Sequence, residues 1–192
     1  MTDRAELLAV IESVVAAFHR HDVPYFITGS LASSVHAEFR ATKDLDVVAM
    51  VDRGCLPPLM SDLSAEFVAD LDQAIAALES GTGFNLIHRG TYLKVDVYPC
   101  LTAFDREATA RAVEVVLTGS HGPLRVASRE DILLAKLRWY HLGGETSEVQ
   151  RRDLESLVAL NRREFDRAYL GRWAAELGVE DLLHRFLWPT AR

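Results

Sequence analysis

The chain has 192 residues, of which 49% are hydrophobic and 26% charged, so it is long enough to bury a substantial core and lacks the composition of a disordered protein. Its net charge of −7 disfavours a general nucleic-acid-binding surface, and its two cysteines lack metal-ligand spacing. No apolar stretch approaches the roughly 18 residues of a membrane span, and no segment resembles a signal peptide. We therefore expect a cytoplasmic protein that does not enter a membrane.

The N-terminal part of the sequence alternates between helical and extended patterns. Apolar residues at helical spacing predict an amphipathic helix over residues 3–20, which ends before Pro24. The pattern then predicts a strand at 25–28, a helix from 30 to about 39, a strand at 45–51, a helix after Pro57, an extended piece at 67–69, a helix at 71–78, a hairpin of 85–88 with 92–98, a helix at 104–112 and a hairpin of 113–117 with 124–127.

From Ser128 onward the pattern is helical. Ser128 and Asp131 resemble a capping box, and the helix that they begin is expected to end at Gly143-Gly144. Further helices are expected at about 146–160, 164–177 and 179–187. The sequence thus predicts two domains, an α/β core at residues 1–127 and a C-terminal helical region at 128–192 that packs on the core.

Three aspartates stand out in the predicted core. Asp44 and Asp46 project from one face of an extended strand because side chains alternate, and Asp96 can do the same from a second strand. Such carboxylates repel one another unless cations such as Mg²⁺ neutralise them. An Asp-x-Asp pair alone is more often a solvated face or a helix cap. Here the apolar run 47–51 follows directly, which places the acids where a core begins.

Gly29 and Ser30 lie at a predicted strand-to-helix turn. Glycine lets a phosphate approach the backbone, the helix N-terminus offers free N–H groups, and Ser30 adds a hydroxyl. An ordinary helix cap, formed by a serine that follows a turn glycine, explains the pair equally well. The sequence leaves both interpretations open.

Lys136 lies in the first C-terminal helix, four residues after Ile132 and three before Trp139. At that spacing it shares their apolar side, where an ammonium without a partner is costly. A phosphate ligand explains this position, and the alternative is a lysine whose stem lies along the surface. The chain has only three lysines against 18 arginines.

Asp153 and Thr42 are two further candidates. Asp153 lies one helical turn before Leu157, where it can orient Lys136 or simply form a helix ion pair with a neighbouring arginine. Thr42 precedes Asp44 by two residues and would place its hydroxyl on the same strand face. Phosphorylation of Thr42 would add about two negative charges among the carboxylates and is expected to block nucleotide binding.

The order of five motifs resembles that of the DNA-polymerase-β-like nucleotidyltransferase superfamily. The motifs are Gly29-Ser30, Asp44-Leu45-Asp46, Asp96, Lys136 and Asp153. The similarity runs over about residues 24–160, and within the superfamily it is to the AbiEii and MenT type, the toxins of type IV toxin–antitoxin pairs. It implies an α/β (α+β) fold with a small mixed sheet flanked by helices, plus a C-terminal helical bundle that packs on the active-site cleft. It also implies Mg²⁺-dependent transfer of a nucleoside monophosphate from an NTP, in some members to tRNA 3′ ends, and a cognate antitoxin as partner.

The resemblance also implies a role for each matching residue. Asp44, Asp46 and Asp96 would hold two Mg²⁺ ions, and Asp96 would also deprotonate or orient the acceptor hydroxyl. Lys136, positioned by Asp153, would complete the catalytic set. The nucleotide would be bound by Gly29, Ser30 and Lys136, to which strand alternation adds the hydroxyl of Thr42.

The acceptor is the point on which the sequence leaves most alternatives. Residues 1–124 hold 9 basic and 17 acidic side chains, whereas residues 125–192 hold 12 and 11, including arginine pairs at 151–152 and 162–163 that suit RNA phosphates or solvated helix faces. A tRNA 3′ end is the preferred acceptor. A protein or a cationic aminoglycoside is the first alternative, and a catalytically degenerate binding module or antitoxin is the second, which the intact acids disfavour.

Overall fold

A computed structural model describes residues 4–36 and 44–188. Thr42 and its neighbours Arg40 and Lys43 lie outside these described residues. The described chain divides into two compact units. The first unit comprises residues 4–31 and 44–127, and the second comprises residues 32–36 and 128–188.

The described residues form helices and strands in an alternating order, followed by helices alone. The elements are α1 (Arg4–Arg20), β1 (Tyr25–Thr28), α2 (Gly29–His36), β2 (Asp44–Ala49), α3 (Leu56–Leu63), β3 (Phe67–Val68), α4 (Leu71–Ser80), β4 (Phe84–His88), β5 (Lys94–Pro99), α5 (Ala103–Arg111), β6 (Val113–Val115), β7 (Leu124–Val126), α6 (Arg129–Leu142), α7 (Glu148–Asn161), α8 (Arg167–Glu176) and α9 (Glu180–Leu187). The predicted α/β fold class is therefore confirmed.

The first unit is organised by a mixed sheet. Among the described residues the sheet has seven strands in the order β3-β4-β5-β2-β1-β7-β6. The strand β2 runs antiparallel to β1 and parallel to β5, and β5 is antiparallel to β4. The sheet is thus mixed, as the family resemblance implied, although short strands at both edges make it wider than the small sheet that the resemblance implied.

The strand β2 has one face in the core and one face outside it. Leu45, Val47 and Ala49 are fully buried, whereas Asp44 is exposed and Asp46 is partly exposed. This alternation follows from the period of two residues in an extended chain. The apolar face anchors the strand in the core and leaves the two carboxylates on the other face.

The second unit is held together by buried polar contacts as well as apolar packing. The Ser128 side chain caps α6 by accepting a hydrogen bond from the Asp131 N–H, and its hydroxyl donates to Asp131 Oδ2. The Tyr169 hydroxyl of α8 donates to Asp131 Oδ1 at 2.5 Å. These contacts fix α8 against the start of α6, in the manner expected for a buried carboxylate that needs partners.

Several predicted bounds differ from the structure: the strand predicted at 45–51 ends at Ala49, the one predicted at 113–117 ends at Val115, and the helix predicted from 164 begins at Arg167. Two further local predictions are wrong. The strand that carries Asp96 begins at Lys94 and not at residue 92, because Tyr92 has a left-handed φ of 58° that ends the extended conformation. The Trp139 side chain is 58% exposed and does not share the buried side of α6 with Ile132.

None of the helices in the described ranges has the length and apolar character needed to cross a membrane.

Candidate active site

A row of polar residues crosses four neighbouring strands of the sheet in register. Thr28 of β1 pairs with Asp46 of β2, Asp46 with Asp96 of β5, and Asp96 with Asn85 of β4. Residues that lie directly opposite one another on adjacent strands project to the same face of a sheet. The structure therefore brings Asp46 and Asp96 together, flanked by a hydroxyl on one side and an amide on the other.

A second row lies two residues along the same strands. Asp44 of β2 pairs with Lys94 of β5, and the Lys94 Nζ lies 2.7 Å from Asp96 Oδ2. The hydrogen bond to Asp96 raises the pKa of Lys94 above its ordinary value, and the negative charge of Asp44 acts in the same direction. All three aspartates thus belong to one cluster, and that cluster already contains a positive charge.

Asp96 is the most deeply placed of the three acids. The residue is only 9% exposed, whereas the Lys94 side chain is 40% exposed. A carboxylate at that depth needs a compensating charge or hydrogen bonds, because it has few water molecules to solvate it. The ammonium of Lys94 supplies part of that compensation.

Gly29 brings the backbone against the acids. It begins α2 with φ of +66°, and a Cβ built on it would lie 1.9 Å from Asp46 Oδ2. Only glycine leaves room for the Asp46 carboxylate beside this turn. The predicted strand-to-helix turn is therefore present, with Ser30 in the first turn of α2.

Two residues of the cluster were not among those predicted from the sequence. Tyr98 lies on β5 two residues after Asp96, and its pKa is raised first by burial and then by the charges of Asp46 and Asp96. Asn85 faces Asp96 from β4. Strand alternation from Asp96 is the signal that would have identified Tyr98, whereas nothing in the sequence gives the register that brings Asn85 beside Asp96.

Lys136 and Asp153 lie in the second unit, where they contact each other. The Lys136 Nζ of α6 donates to Asp153 Oδ2 of α7 at 2.9 Å, and the two side chains are 13% and 21% exposed. Arg151, the alternative partner of Asp153, pairs with Glu148 and Glu155. The structure thus shows the contact between Lys136 and Asp153 that the sequence suggested.

The acid cluster suits a divalent cation in its donor chemistry. Carboxylate oxygens are the ligands that Mg²⁺ prefers, and Asp44, Asp46 and Asp96 carry such oxygens on two adjacent strands. The cluster also accommodates a positive charge, that of Lys94. Within residues 4–36 and 44–188, no three His, Cys, Asp or Glu side chains already stand in a metal-holding arrangement.

Solved structures of other proteins have folds similar to that of this chain. No protein-family model matches the chain, and no curated protein sequence matches it. The solved structure of the antibiotic-resistance factor ANT(2'')-Ia aligns with a TM-score of 0.56 and 17% identity over 93% of this chain and 97% of that one. An antigenic nucleotidyltransferase-like protein from Paracoccidioides brasiliensis aligns with a TM-score of 0.53 and 19% identity, over 94% of this chain and 91% of that one. The chain therefore has a nucleotidyltransferase fold.

Proposed function

We propose that this protein is a Mg²⁺-dependent nucleotidyltransferase, which moves a nucleoside monophosphate from an NTP to an acceptor hydroxyl and releases pyrophosphate. One observation carries the proposal: Asp46 and Asp96 are paired in register on parallel strands, with Asp44 two residues away and Gly29 against Asp46. The nucleotidyltransferase fold supports the same reaction class.

The acids have distinct roles in this reaction. Asp44 and Asp46 would hold two Mg²⁺ ions, and Asp96 would share one of them. When bound, Mg²⁺ would neutralise triphosphate charge and favour displacement at the α-phosphate. The Asp96 carboxylate would accept the proton of the acceptor hydroxyl, or orient that hydroxyl for attack, because it is the acid most shielded from water.

The phosphates of the NTP would be bound by backbone and cationic groups. The N–H groups at the start of α2 point along the helix axis, and together with the Ser30 hydroxyl they would bind phosphate oxygens beside Gly29. Lys136 would bind the triphosphate, and Asp153 would position its ammonium through the contact described above. For Thr42 the proposed hydroxyl contact to the nucleotide, and its block by phosphorylation, rest on the sequence alone.

We propose the 3′ end of tRNA as the acceptor and a toxin role, with an antitoxin as protein partner. The resemblance of the motif order to the AbiEii and MenT toxins, some of which act on tRNA 3′ ends, supports this acceptor. The charge distribution also supports it, because residues 125–192 carry 12 basic and 11 acidic side chains in a chain of net charge −7.

An aminoglycoside is the second candidate acceptor. The observation that favours it is the fold similarity to ANT(2'')-Ia, whose crystal structure in complex with adenylyl-2''-tobramycin aligns with a TM-score of 0.55 and 15% identity, over 90% of this chain and 97% of that one. The excess of acidic residues in 1–124, 17 against 9 basic, suits a cationic drug.

The test is to supply each α-labelled NTP with Mg²⁺ and either total tRNA or tobramycin, and to follow the label. We expect label in the tRNA 3′ end with wild-type protein and none with Asp44→Ala. Label in tobramycin instead would replace tRNA by the second candidate. No transfer to either acceptor from any NTP would contradict both proposed acceptors.

A further inference from the structure

Lys94 places a positive charge among three carboxylates. Its Nζ lies 2.7 Å from Asp96 Oδ2, and in the strand register Lys94 is the partner of Asp44. The three carboxylates carry a charge of −3, which the ammonium reduces to −2. The cluster is therefore partly neutralised by the chain itself before any metal ion binds.

The ammonium is held where a metal ion would also be attracted. Lys94 and Asp96 are two residues apart on β5, so both side chains lie on the face that carries Asp46. Asp96 is buried, and withdrawal of its counter-ion would leave a poorly solvated negative charge. A divalent cation that approaches Asp96 is repelled by the Lys94 ammonium. It also meets a carboxylate oxygen, Asp96 Oδ2, that is already paired with that ammonium.

We propose that Lys94 is a resident counter-ion of Asp96, which a divalent cation must displace in order to bind, so that Lys94 sets the cation affinity of the site. The inference rests on the proposed function, which assigns Asp96 to a metal ion. Its physical basis is competition between two cations for one buried carboxylate. Lysine suits this role because its compact ammonium on a flexible stem can move away and be hydrated.

Two substitutions at Lys94 should act in opposite directions. Lys94→Met keeps the apolar stem and removes the ammonium, so no charge of the chain competes with the metal ion for Asp96. The dissociation constant of the divalent cation should therefore fall on the order of tenfold. Lys94→Arg keeps the charge and adds a planar fork that binds a carboxylate more firmly, so the dissociation constant should rise.

The measurement is titration of the nucleotide-free protein with Mn²⁺, with free Mn²⁺ followed by electron paramagnetic resonance. A matched control is Arg53→Met, which removes one positive charge from the first unit at an exposed pair with Glu79. This control should leave the dissociation constant unchanged. Thermal unfolding gives a second readout: in EDTA, Lys94→Met should melt below wild type, and Mn²⁺ should raise its melting temperature more than that of wild type.

Asp96→Asn separates the failure of this inference from failure of the proposed function. Equal Mn²⁺ binding by wild type and Asp96→Asn would remove Asp96 from the metal site and overturn both. Weakened binding in Asp96→Asn, with unchanged or weakened binding in Lys94→Met, would overturn the counter-ion role alone. If Lys94→Met does not fold, Lys94→Arg decides, because binding as tight as wild type or tighter would contradict the competition.

Discussion

At Gly29 the backbone adopts φ of +66°, and a Cβ would lie 1.9 Å from the Asp46 carboxylate. Gly29→Ala must therefore both strain the turn and push Asp46 out of its place. We expect a loss of roughly 2–4 kcal/mol in the free energy of unfolding, from a left-handed alanine together with overpacking. Urea denaturation measures the loss, and nucleotidyl transfer should fall with it.

Gly178 provides the control for that substitution. It has nearly the same φ, +68°, but no atom lies within 4 Å of a Cβ built there. Gly178→Ala should cost only the conformational part, about 1–2 kcal/mol, and leave transfer intact. Equal losses in the two variants, with transfer retained in Gly29→Ala, would show that the contact with Asp46 has no role.

The pair of His121 and Glu12 gives a pH-dependent contact within the first unit. The His121 Nδ1 lies 2.6 Å from Glu12 Oε2, and the hydrogen bond to Glu12 raises the pKa of His121 above 6.5. Hydrogen bonds from His121 lower the pKa of Glu12 below 4.5. The stability that comes from the raised pKa of His121 is complete below pH 6.5 and is lost as the pH rises through the folded-state pKa of His121. The stability that comes from the lowered pKa of Glu12 is complete above pH 4.5 and is lost as the pH falls through the folded-state pKa of Glu12.

NMR titration of the imidazole tests this contact. We expect a midpoint for His121 above 6.5 in the wild type, and a lower midpoint in Glu12→Gln, because the amide removes the negative charge. Identical midpoints in the two proteins would show that the carboxylate does not act on the ring.

Strand alternation predicts which residues of one strand share a face, but it does not predict which residues of neighbouring strands lie opposite them. Alternation correctly placed Asp44 and Asp46 on one face of a strand. It did not give the position of Asn85, because the β4–β5 register depends on the turn between them. Tyr92 adopts φ of 58° there and its N–H donates to His88 O, so pairing begins only at Ile87 with Lys94.

Among the elements, α6 and α8 share a buried hydrogen bond, beside a second contact in which the Asp166 N–H donates to Glu130 Oε1. The Tyr169 hydroxyl donates to Asp131, which is 2% exposed. Tyr169→Phe should lower the free energy of unfolding by about 1–3 kcal/mol, because it removes a donor from a buried carboxylate. The control is Tyr92→Phe at an exposed tyrosine, and calorimetry of both variants should show a lower melting temperature only for Tyr169→Phe.

The contact of α6 with α7 through Lys136 and Asp153 is suited to a double-mutant cycle. The two side chains are mostly buried, and we expect a coupling free energy of about 1–3 kcal/mol between Lys136→Met and Asp153→Asn. The more exposed pair of Arg151 and Glu155 within α7 should give only about 0.3–0.5 kcal/mol. Similar coupling in both cycles would show that burial does not strengthen the first pair.

Helical periodicity located α6 but did not centre its buried face correctly. Leu133, Leu137 and Tyr140 are buried and define the middle of that face. Ile132 lies at its border, so Trp139, on the far side of Ile132 around the helix, reaches solvent. The sequence gives the period of a helix, whereas packing partners elsewhere in the chain decide which residues are central.

For the molecule as a whole, local pattern predicted the types of the elements better than their arrangement. The placement of β5 beside β2, and of β7 beside β1, comes from pairing between strands that are distant in sequence. No local propensity specifies such pairs. Strand alternation predicted that the acids could face one side, but the pairing that places β5 beside β2 was implied only by the family resemblance.

The central claim is that the acid cluster performs nucleotidyl transfer, and release of pyrophosphate from each NTP tests it most directly. The assay contains Mg²⁺, tRNA and tobramycin, and compares wild type with Asp46→Asn and with Asp62→Asn, an acid that pairs with Arg20 away from the cluster. We expect wild type and Asp62→Asn to release pyrophosphate at similar rates, and Asp46→Asn to be slower on the order of a thousandfold. Release by Asp46→Asn at the wild-type rate, or none by wild type with any NTP, would contradict the account.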